Sequence, residues 1–275
     1  MKKVGNYFSK IFIILFLCVQ MYPIIWLLLS SVKSPSEFSL RAVYALPEKL
    51  TFSNYAVAWT VGKMGIYFRN SAIATLVALL LIITFSAPVS FAITKMKWKL
   101  SRITLTFFLL GITIPVQVVL IPLFIIYKNV GLLNSLLGLI IVYSAFGLPI
   151  SIYLFVGFFK SVPNQMIEAA VIDGCSIFSV FTRIMLPLMK NAIATVLTIQ
   201  FLFTWNDLVF SMTFISKMNL KTVQTGLMYF TGQFGQRYWG PTFASIVMST
   251  LPTLFLYLFL NKVMIKGLTA GAVKG

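Results

Sequence analysis

An all-α integral membrane protein of six transmembrane helices, with a helix–turn–helix between the fourth and fifth, is the fold class that this sequence predicts. Three observations carry it. First, 59% of the 275 residues are apolar and 10% are charged, against about 45–50% and 25% in soluble domains. One aqueous core of this length cannot hide that much apolar surface, so the bilayer is the solvent for much of it. Second, residues 11–32, 70–94, 103–127, 129–159, 191–206 and 238–261 carry no charge, and the fifth stretch runs on past Asp207 to Ser216. A spanning helix needs about 20 mostly apolar residues. Third, runs such as Leu136–Val142 do not alternate, which excludes the closed barrel as the other spanning solution.

The chain is therefore read as one transmembrane domain over 1–275, with spans at about 11–31, 69–94, 103–127, 133–158, 192–215 and 242–263. Lys2 and Lys3 before the first span imitate a secretory signal. The apolar run is too long and lacks a small-x-small cleavage site, and Phe16-Leu17 before Cys18 fits a lipoprotein site poorly, so an uncleaved helix is expected. Cys18 and Cys175 imply no disulfide framework. The 32–68 loop holds Pro35, Pro47, Glu37 and Glu48, and is long enough for a short surface helix or a docking edge.

Pro23, Pro88, Pro115, Pro122, Pro149 and Pro252 place proline in every span but the fifth. They read either as ordinary kinks or as marks of a flexible bundle around a pathway. With both termini on one side, the inner segments 1–10, 95–102, 159–191 and 264–275 hold 3, 4, 3 and 2 basic residues. The outer segments 32–68, 128–132 and 216–241 hold 4, 1 and 3. The short Lys95–Arg102 loop tips the balance, so the termini are expected in the cytoplasm.

The formal charge of +17 comes from 22 basic residues against five acids. The bases flank the spans and form no basic domain, so a nucleic-acid role is excluded. There is no histidine, and no paired intramembrane carboxylate or metal-spaced cluster. No catalytic residue and no metal site are therefore expected. Asp207 is the one acid placed in a span, too few for a solitary ion-coupled carrier. The energy source is then expected in another chain.

The inner segment 160–190 carries the most information. Ser161 is expected to cap a helix whose first turn holds Pro163. Met166, Ile167, Ala170 and Val171 share an apolar face at helical spacing. Gly174 allows a left-handed turn, and a second helix runs from about Ser176 to Leu186, interrupted by Pro187. Amphipathic helices that rest on lipid prefer Lys and Arg on their polar face. This helix offers Glu168 and Asp173, and its Ala169 and Ala170 let another protein approach. Asp173 at a helix C-terminus opposes the dipole, which points to a further role.

Glu168-Ala169-Ala170, then Gly174, then Ile184-x-Leu186-Pro187 resembles the EAA loop of ABC importer permeases. The extended Glu-Ala-Ala-x-x-Asp-Gly-x-Ser form narrows the resemblance to the carbohydrate-uptake permeases of the maltose-system type. Trp205-Asn206-Asp207 resembles that family's Trp-Asn-Glu/Asp, and the Gly267–Gly275 ending resembles the tail of its MalG-like branch. The resemblance covers nearly the whole chain. One departure is Asn191, where the family often has proline.

The resemblance implies a non-catalytic permease subunit in a bacterial or archaeal cell membrane. It would pair with a second homologous permease, as a heterodimer, around a sugar path. Two cytoplasmic ABC ATPases would bind ATP and Mg below, and this chain would hold no cofactor. An extracytoplasmic sugar-binding protein would dock above. Glu168, Ala169, Ala170 and Asp173 would sit in a groove on one ATPase. Gly174 would supply the turn, and Ile184, Leu186 and Pro187 would anchor the loop. Sugars are read by hydrogen-bonding groups and aromatic faces. Gln117, Tyr143, Ser144, Gln200, Trp205, Asn206 and Asp207 are the candidate path residues. Each also reads as an interhelical packing or hydrogen-bonding group.

Overall fold

The computed structural model describes residues 2–96, 98–230 and 238–272, with side chains described over 9–96, 98–230 and 238–259. Every regular element among them is helical. In chain order the main ones are α1 (Lys2–Ser31), α2 (Pro35–Leu40), α3 (Ser53–Thr60), α4 (Met64–Lys95), α5 (Ser101–Thr113) and α6 (Val116–Asn129). There follow α7 (Leu136–Ser161), α8 (Gln165–Ile172), α9 (Ile177–Leu188), α10 (Lys190–Trp205), α11 (Val209–Phe214) and α12 (Trp239–Ala272). Four helices are long and apolar enough to cross a membrane, and up to six if the bent pairs α5–α6 and α9–α10 each form one span. The described residues form two compact units, 1–65 with 226–251 and 66–225 with 252–275.

In the first unit, α1 is apolar on all sides, and its hydrophobic window buries nothing within the chain. The segment after it is organised by two buried polar side chains. Glu37 Oε2 accepts from Ser34 N and Ser34 Oγ at 2.7 and 2.8 Å, and Glu37 Oε1 accepts from Glu48 N at 2.7 Å. These donors to the charged form hold the Glu37 carboxyl below its ordinary range, the Glu48 N–H most of all. Asn54 Nδ2 donates to Ser31 O and Lys33 O, each at 2.9 Å, and so ties α3 to the end of α1. Gly240 of α12 packs on that amide, and a Cβ there would lie 2.6 Å from Asn54 Oδ1. Trp26 meets Phe243 edge-on with ring centroids 5.2 Å apart.

The second unit has two apolar cores. One joins Ala74 and Ala78 of α4 to Tyr127, Leu139, Tyr143, Phe210 and Phe214. The other joins Phe91 of α4 and Phe155 and Phe159 of α7 to Ala170, Val180, Met185, Met189, Ala192 and Val196. Small residues allow close helix approach at defined points. A Cβ on Gly111 of α5 would lie 2.9 Å from Pro149 Cγ of α7.

Two expected continuous helices are broken. The 103–127 stretch is α5 and α6, bent by 99°. Ile114 precedes proline and takes an extended conformation (φ −81°, ψ 114°), and Pro115 opens α6 with ψ 132°. Steric conflict with the proline ring disfavours the helical region for Ile114. Thr113 Oγ1 donates to Leu110 O at 2.8 Å, satisfying a carbonyl at the broken end. The 192–215 stretch is α10 and α11, interrupted over 206–208. By contrast Pro23, Pro88, Pro122, Pro149 and Pro252 lie within helices.

Candidate functional site

Asp207 explains the second break. Its Oδ1 accepts from Phe210 N at 3.2 Å and its Oδ2 from Ser211 N at 2.9 Å, so the carboxylate satisfies the open N–H groups at the start of α11. Tyr143 Oη donates to Asp207 Oδ2 at 2.8 Å and ties α7 to this joint. One turn further along, Gln200 Nε2 donates to Gly147 O at 3.0 Å and Ser151 Oγ at 2.9 Å, clamping α10 to α7. The absence of a side chain at Gly147 makes room for this. A Cβ there would overlap Ile82 and stand 3.0 Å from Gln200 Oε1.

Between α5, α6, α7, α10 and α11 lies a cavity of about 400 Å³. Gln117, Tyr143, Gln200, Thr204 and Asp207 supply polar groups to a wall that is otherwise mostly apolar. A mostly apolar wall with a few convergent polar groups is the make-up of small-molecule sites in general. The structure thus brings together Gln117, Tyr143, Gln200 and Asp207 from the candidate path residues. Ser144, Trp205 and Asn206 lie outside the lining. Ser144 Oγ donates to Ile140 O at 2.7 Å. Trp205 is 4% exposed and stacks on Phe201 at 5.5 Å. Asn206 donates to Leu202 O at 2.9 Å and accepts from Gln224 Nε2 at 3.3 Å. Among the described residues no three of Cys, Asp and Glu come together.

The second candidate region is α8–α9. Asn164, where Ser161 is expected, occupies the cap position of α8. Ser161 instead ends α7, with its hydroxyl donated to Phe158 O at 2.7 Å. Helix α7 keeps its apolar register to Phe159, so its ladder extends through Ser161 before Pro163 stops it. Lys95 Nζ holds the crossing, donating to Val162 O at 2.6 Å and Asn164 Oδ1 at 2.8 Å.

Helix α8 ends in a Schellman turn. Cys175 N donates to Ala170 O at 2.9 Å, Gly174 N donates to Val171 O at 3.0 Å, and Gly174 has φ +82°. Ala170 is buried and Ile167 half-buried, while Met166 and Val171 of the expected face are 41% and 52% exposed. Glu168 lies in the first turn of α8, where the dipole favours an acid, and Ala169 and Asp173 are exposed with it. Ile172 and Phe178, 84% and 73% exposed, form an apolar knob on either side of the turn.

Helix α9 contains a π-helical turn over Val180–Met185, ending two residues before Pro187. The proline ring cannot lie against the carbonyl four residues back, and the wider turn relieves that conflict. It also shifts the buried face by one residue. Val180, Met185 and Met189 are the deep anchors, with Ile184 and Leu186 half-buried beside them and Pro187 exposed. Regular helical spacing selects Ile184 instead of Met185. An apolar recurrence at five and then four residues is the signal for a π turn. The Gly267–Gly275 tail lies outside the residues whose side chains are described.

Residues 84–266 match the family model for binding-protein-dependent transport system inner membrane components. The chain is 32% identical over 272 residues to the probable ABC transporter permease protein YurM of Bacillus subtilis, covering 99% of this chain and 90% of that one. It is 34% identical to the diacetylchitobiose uptake system permease protein NgcG of Streptomyces coelicolor, over 90% of this chain and 82% of the relative. A crystal structure of a bacterial ABC transporter involved in the import of the acidic polysaccharide alginate contains a chain of the same fold. It matches with a TM-score of 0.84 at 20% identity, over 94% of this chain and 96% of that one.

Proposed function

The chain belongs to the family of binding-protein-dependent transport system inner membrane components, and from that membership we propose the rest of its working assembly. It is a multi-pass membrane transport subunit of the ABC permease type. In the proposed assembly it is a single permease domain over 1–275, forming half of a sugar path with a second, homologous permease. Two cytoplasmic ATPase subunits hold ATP and Mg, and a binding protein delivers a mono- or oligosaccharide from the far side. Both termini are cytoplasmic in this reading, supported by the basic Lys95–Arg102 loop. Relatives named for diacetylchitobiose uptake and for melibiose, raffinose and stachyose import support sugar as the solute.

The observation that carries the reading is the pose of α8. It is a short helix braced by a Schellman turn and by Lys95, and it presents Glu168, Ala169, Asp173 and the Ile172–Phe178 knob outwards. A helix fixed at its base and bare on its outer face suits a groove in another protein. In the proposal ATP-driven closure of the ATPase pair moves α8, and Val180, Ile184, Met185, Leu186, Pro187 and Met189 pass the displacement to α10. Gln117, Tyr143, Gln200 and Asp207 face the sugar path, while Ser144, Trp205 and Asn206 support it from behind.

The test is ATP hydrolysis by the purified assembly in lipid, with its binding protein and a panel of sugars. At least one sugar should stimulate hydrolysis, and Glu168→Lys should abolish the stimulation with the chain still inserted. Failure of every mono- and oligosaccharide overturns sugar as the solute. Uptake that survives removal of the ATPases overturns the ABC reading in favour of a self-sufficient carrier.

A further inference from the structure

On the α7–α10 side of the cavity, every side-chain proton is already committed inside the protein. Ser151 Oγ donates to Gly147 O at 2.7 Å, so towards Gln200 it can only accept. Gln200 Nε2 therefore spends both of its protons, on Ser151 Oγ and on Gly147 O. The carbonyl partner also fixes which end of the amide is nitrogen. Thr204 Oγ1 gives its proton to Gln200 O at 2.9 Å, and Tyr143 Oη gives its proton to Asp207 Oδ2 at 2.8 Å. Asp207 receives donors from Tyr143 Oη, Phe210 N and Ser211 N, as a carboxylate does.

What this wall turns to the cavity is lone pairs. Gln200 Oε1, Thr204 Oγ1 and Tyr143 Oη accept from no donor among the described residues. All three side chains line the cavity, and Tyr143, Gln200 and Thr204 are only 4%, 2% and 7% exposed. Gln200 Oε1 is not sealed away: the sealed side-chain oxygens without a partner are those of Ser30, Thr75, Ser86 and Thr253 among the described residues. A buried acceptor costs free energy until a donor meets it. The one lining side chain with protons left to give is Gln117 at the start of α6, which makes no hydrogen bond among the described residues. No Lys or Arg lines the cavity.

Taking the cavity as part of the solute path, as proposed above, we infer that this wall selects its ligand by the protons the ligand brings: free hydroxyl groups donate to Gln200 Oε1, Thr204 Oγ1 and Tyr143 Oη. Gln200 and Thr204 stand one helical turn apart, about 6 Å along α10, so two hydroxyls of one ligand reach both. A hydroxyl also offers lone pairs to the Gln117 amide, so one kind of group serves both sides. An O-alkylated analogue sets acceptors against acceptors. A carboxylate, phosphate or sulfonate does the same and adds its charge to that of Asp207. Sites built around a hydroxyl proton reject the analogue that lacks it far more sharply than apolar pockets reject an added group. The substrate class is a neutral solute with unblocked hydroxyls.

The experiment uses the assembled transporter in phospholipid nanodiscs without its binding protein, carrying Cys18→Ser and Cys175→Ser. A single cysteine is placed in the lining, by Ile112→Cys or Phe203→Cys, at sites 44% and 62% exposed. Hydroxyethyl, methoxyethyl, sulfonatoethyl and propyl methanethiosulfonates are compared, each rate divided by that with a free thiol in solution. The hydroxyethyl reagent should exceed the methoxyethyl and sulfonatoethyl reagents several-fold. Thr204→Val and Gln200→Met should each bring that ratio towards one. Thr204→Val keeps the shape of the side chain and stays readable if Gln200→Met fails to assemble. Equal normalised rates overturn the proton-accepting wall, as does a ratio that neither variant moves. A faster sulfonatoethyl reagent overturns it in favour of an anion site. No reaction with any reagent at either position shows a cavity closed to water, and overturns the path reading and the wall together. A hydroxyl preference that holds while no sugar stimulates hydrolysis supports the wall and overturns sugar alone.

Discussion

Tyr143 and Asp207 stand 64 residues apart in sequence and 2.8 Å apart in space, hydroxyl to carboxylate, where α7 meets the start of α11. Removing the hydroxyl in Tyr143→Phe is expected to cost about 1 kcal/mol, between the average of roughly 0.6 and the maximum of roughly 1.7 found for interhelical bonds in membranes. Asp207→Ala should cost about 1 kcal/mol more, because the N–H groups of Phe210 and Ser211 lose their cap as well. Denaturation of the four members of a double-mutant cycle checks this. Fully additive losses would show that the two side chains are not coupled.

At Gly174 the backbone sets the requirement, not the space around it. Its φ is +82°, and a Cβ would meet no atom within 4 Å. Alanine therefore pays only for the left-handed conformation, about 1–2 kcal/mol. Asparagine tolerates that region better than alanine, and valine tolerates it worst. Sugar-stimulated ATP hydrolysis should fall in the order Gly, Asn, Ala, Val at constant amounts of inserted protein. Equal activity across the series would remove the turn from the coupling path.

Gly147 presents the opposite case, where space decides. Gly147→Ala drives a methyl into Ile82 and towards Gln200 Oε1. Overpacking of this kind costs about 1–3 kcal/mol. Ile82→Val removes the terminal methyl group and should restore most of the loss in the double variant. Thermal unfolding of the three variants measures the recovery, and no recovery would locate the strain elsewhere.

Glu37 predicts a pH dependence. Its carboxyl is held low chiefly by the Glu48 N–H, with Ser34 adding to it. A depressed native pKa contributes stability that is present above the unfolded value of about 4.3 and is lost as pH falls through the native value. The acid limb of a stability–pH profile should therefore flatten in Glu37→Gln. The same variant should be less stable at pH 7, where the charge-assisted bonds are missing. An unchanged acid limb would mean that Glu37 titrates alike in the folded and unfolded chain.

Four of the expected spans and the Gly174 turn were legible because each rests on a local signal. A stretch without charge reads as a helix at membrane depth, and a glycine after an apolar helical face reads as its stop. The breaks were harder to read. Six prolines fall in the spans, yet among them Pro115 alone ends one helix and opens the next. Pro122 sits seven residues on, inside a continuing helix. What separates them is their surroundings: α5 closes on Pro149 through Gly111, and within the same turn Thr113 satisfies a freed carbonyl. The deep anchor Met185 was hidden because a π turn moves the buried face by one residue, a shift that α-helical periodicity cannot express. Lys95 looked like an ordinary membrane-edge base, and its contacts to Val162 and Asn164 cross a sequence gap that no local pattern spans.

Asn134 gives the chain an order of assembly. It occupies a left-handed position with φ +55°, and its Oδ1 accepts from Ser216 N, Ser216 Oγ and Lys217 N at 2.7, 2.9 and 2.9 Å. Its own N–H donates to Phe214 O at 2.8 Å. Those partners follow it by 82 residues or so. At about 5–20 residues per second of synthesis, the turn between α6 and α7 waits roughly 4–16 s for them. During that interval the turn is held by local bonds alone, Leu132 N donating to Tyr127 O at 2.8 Å and Tyr127 Oη to Gly138 O at 3.1 Å. The fastening closes only after α10 and α11 have been made, so an insertion that stops short of Ser216 leaves the earlier hairpin visibly incomplete. The turn between α6 and α7 thus takes its final form late, after most of the chain has been made.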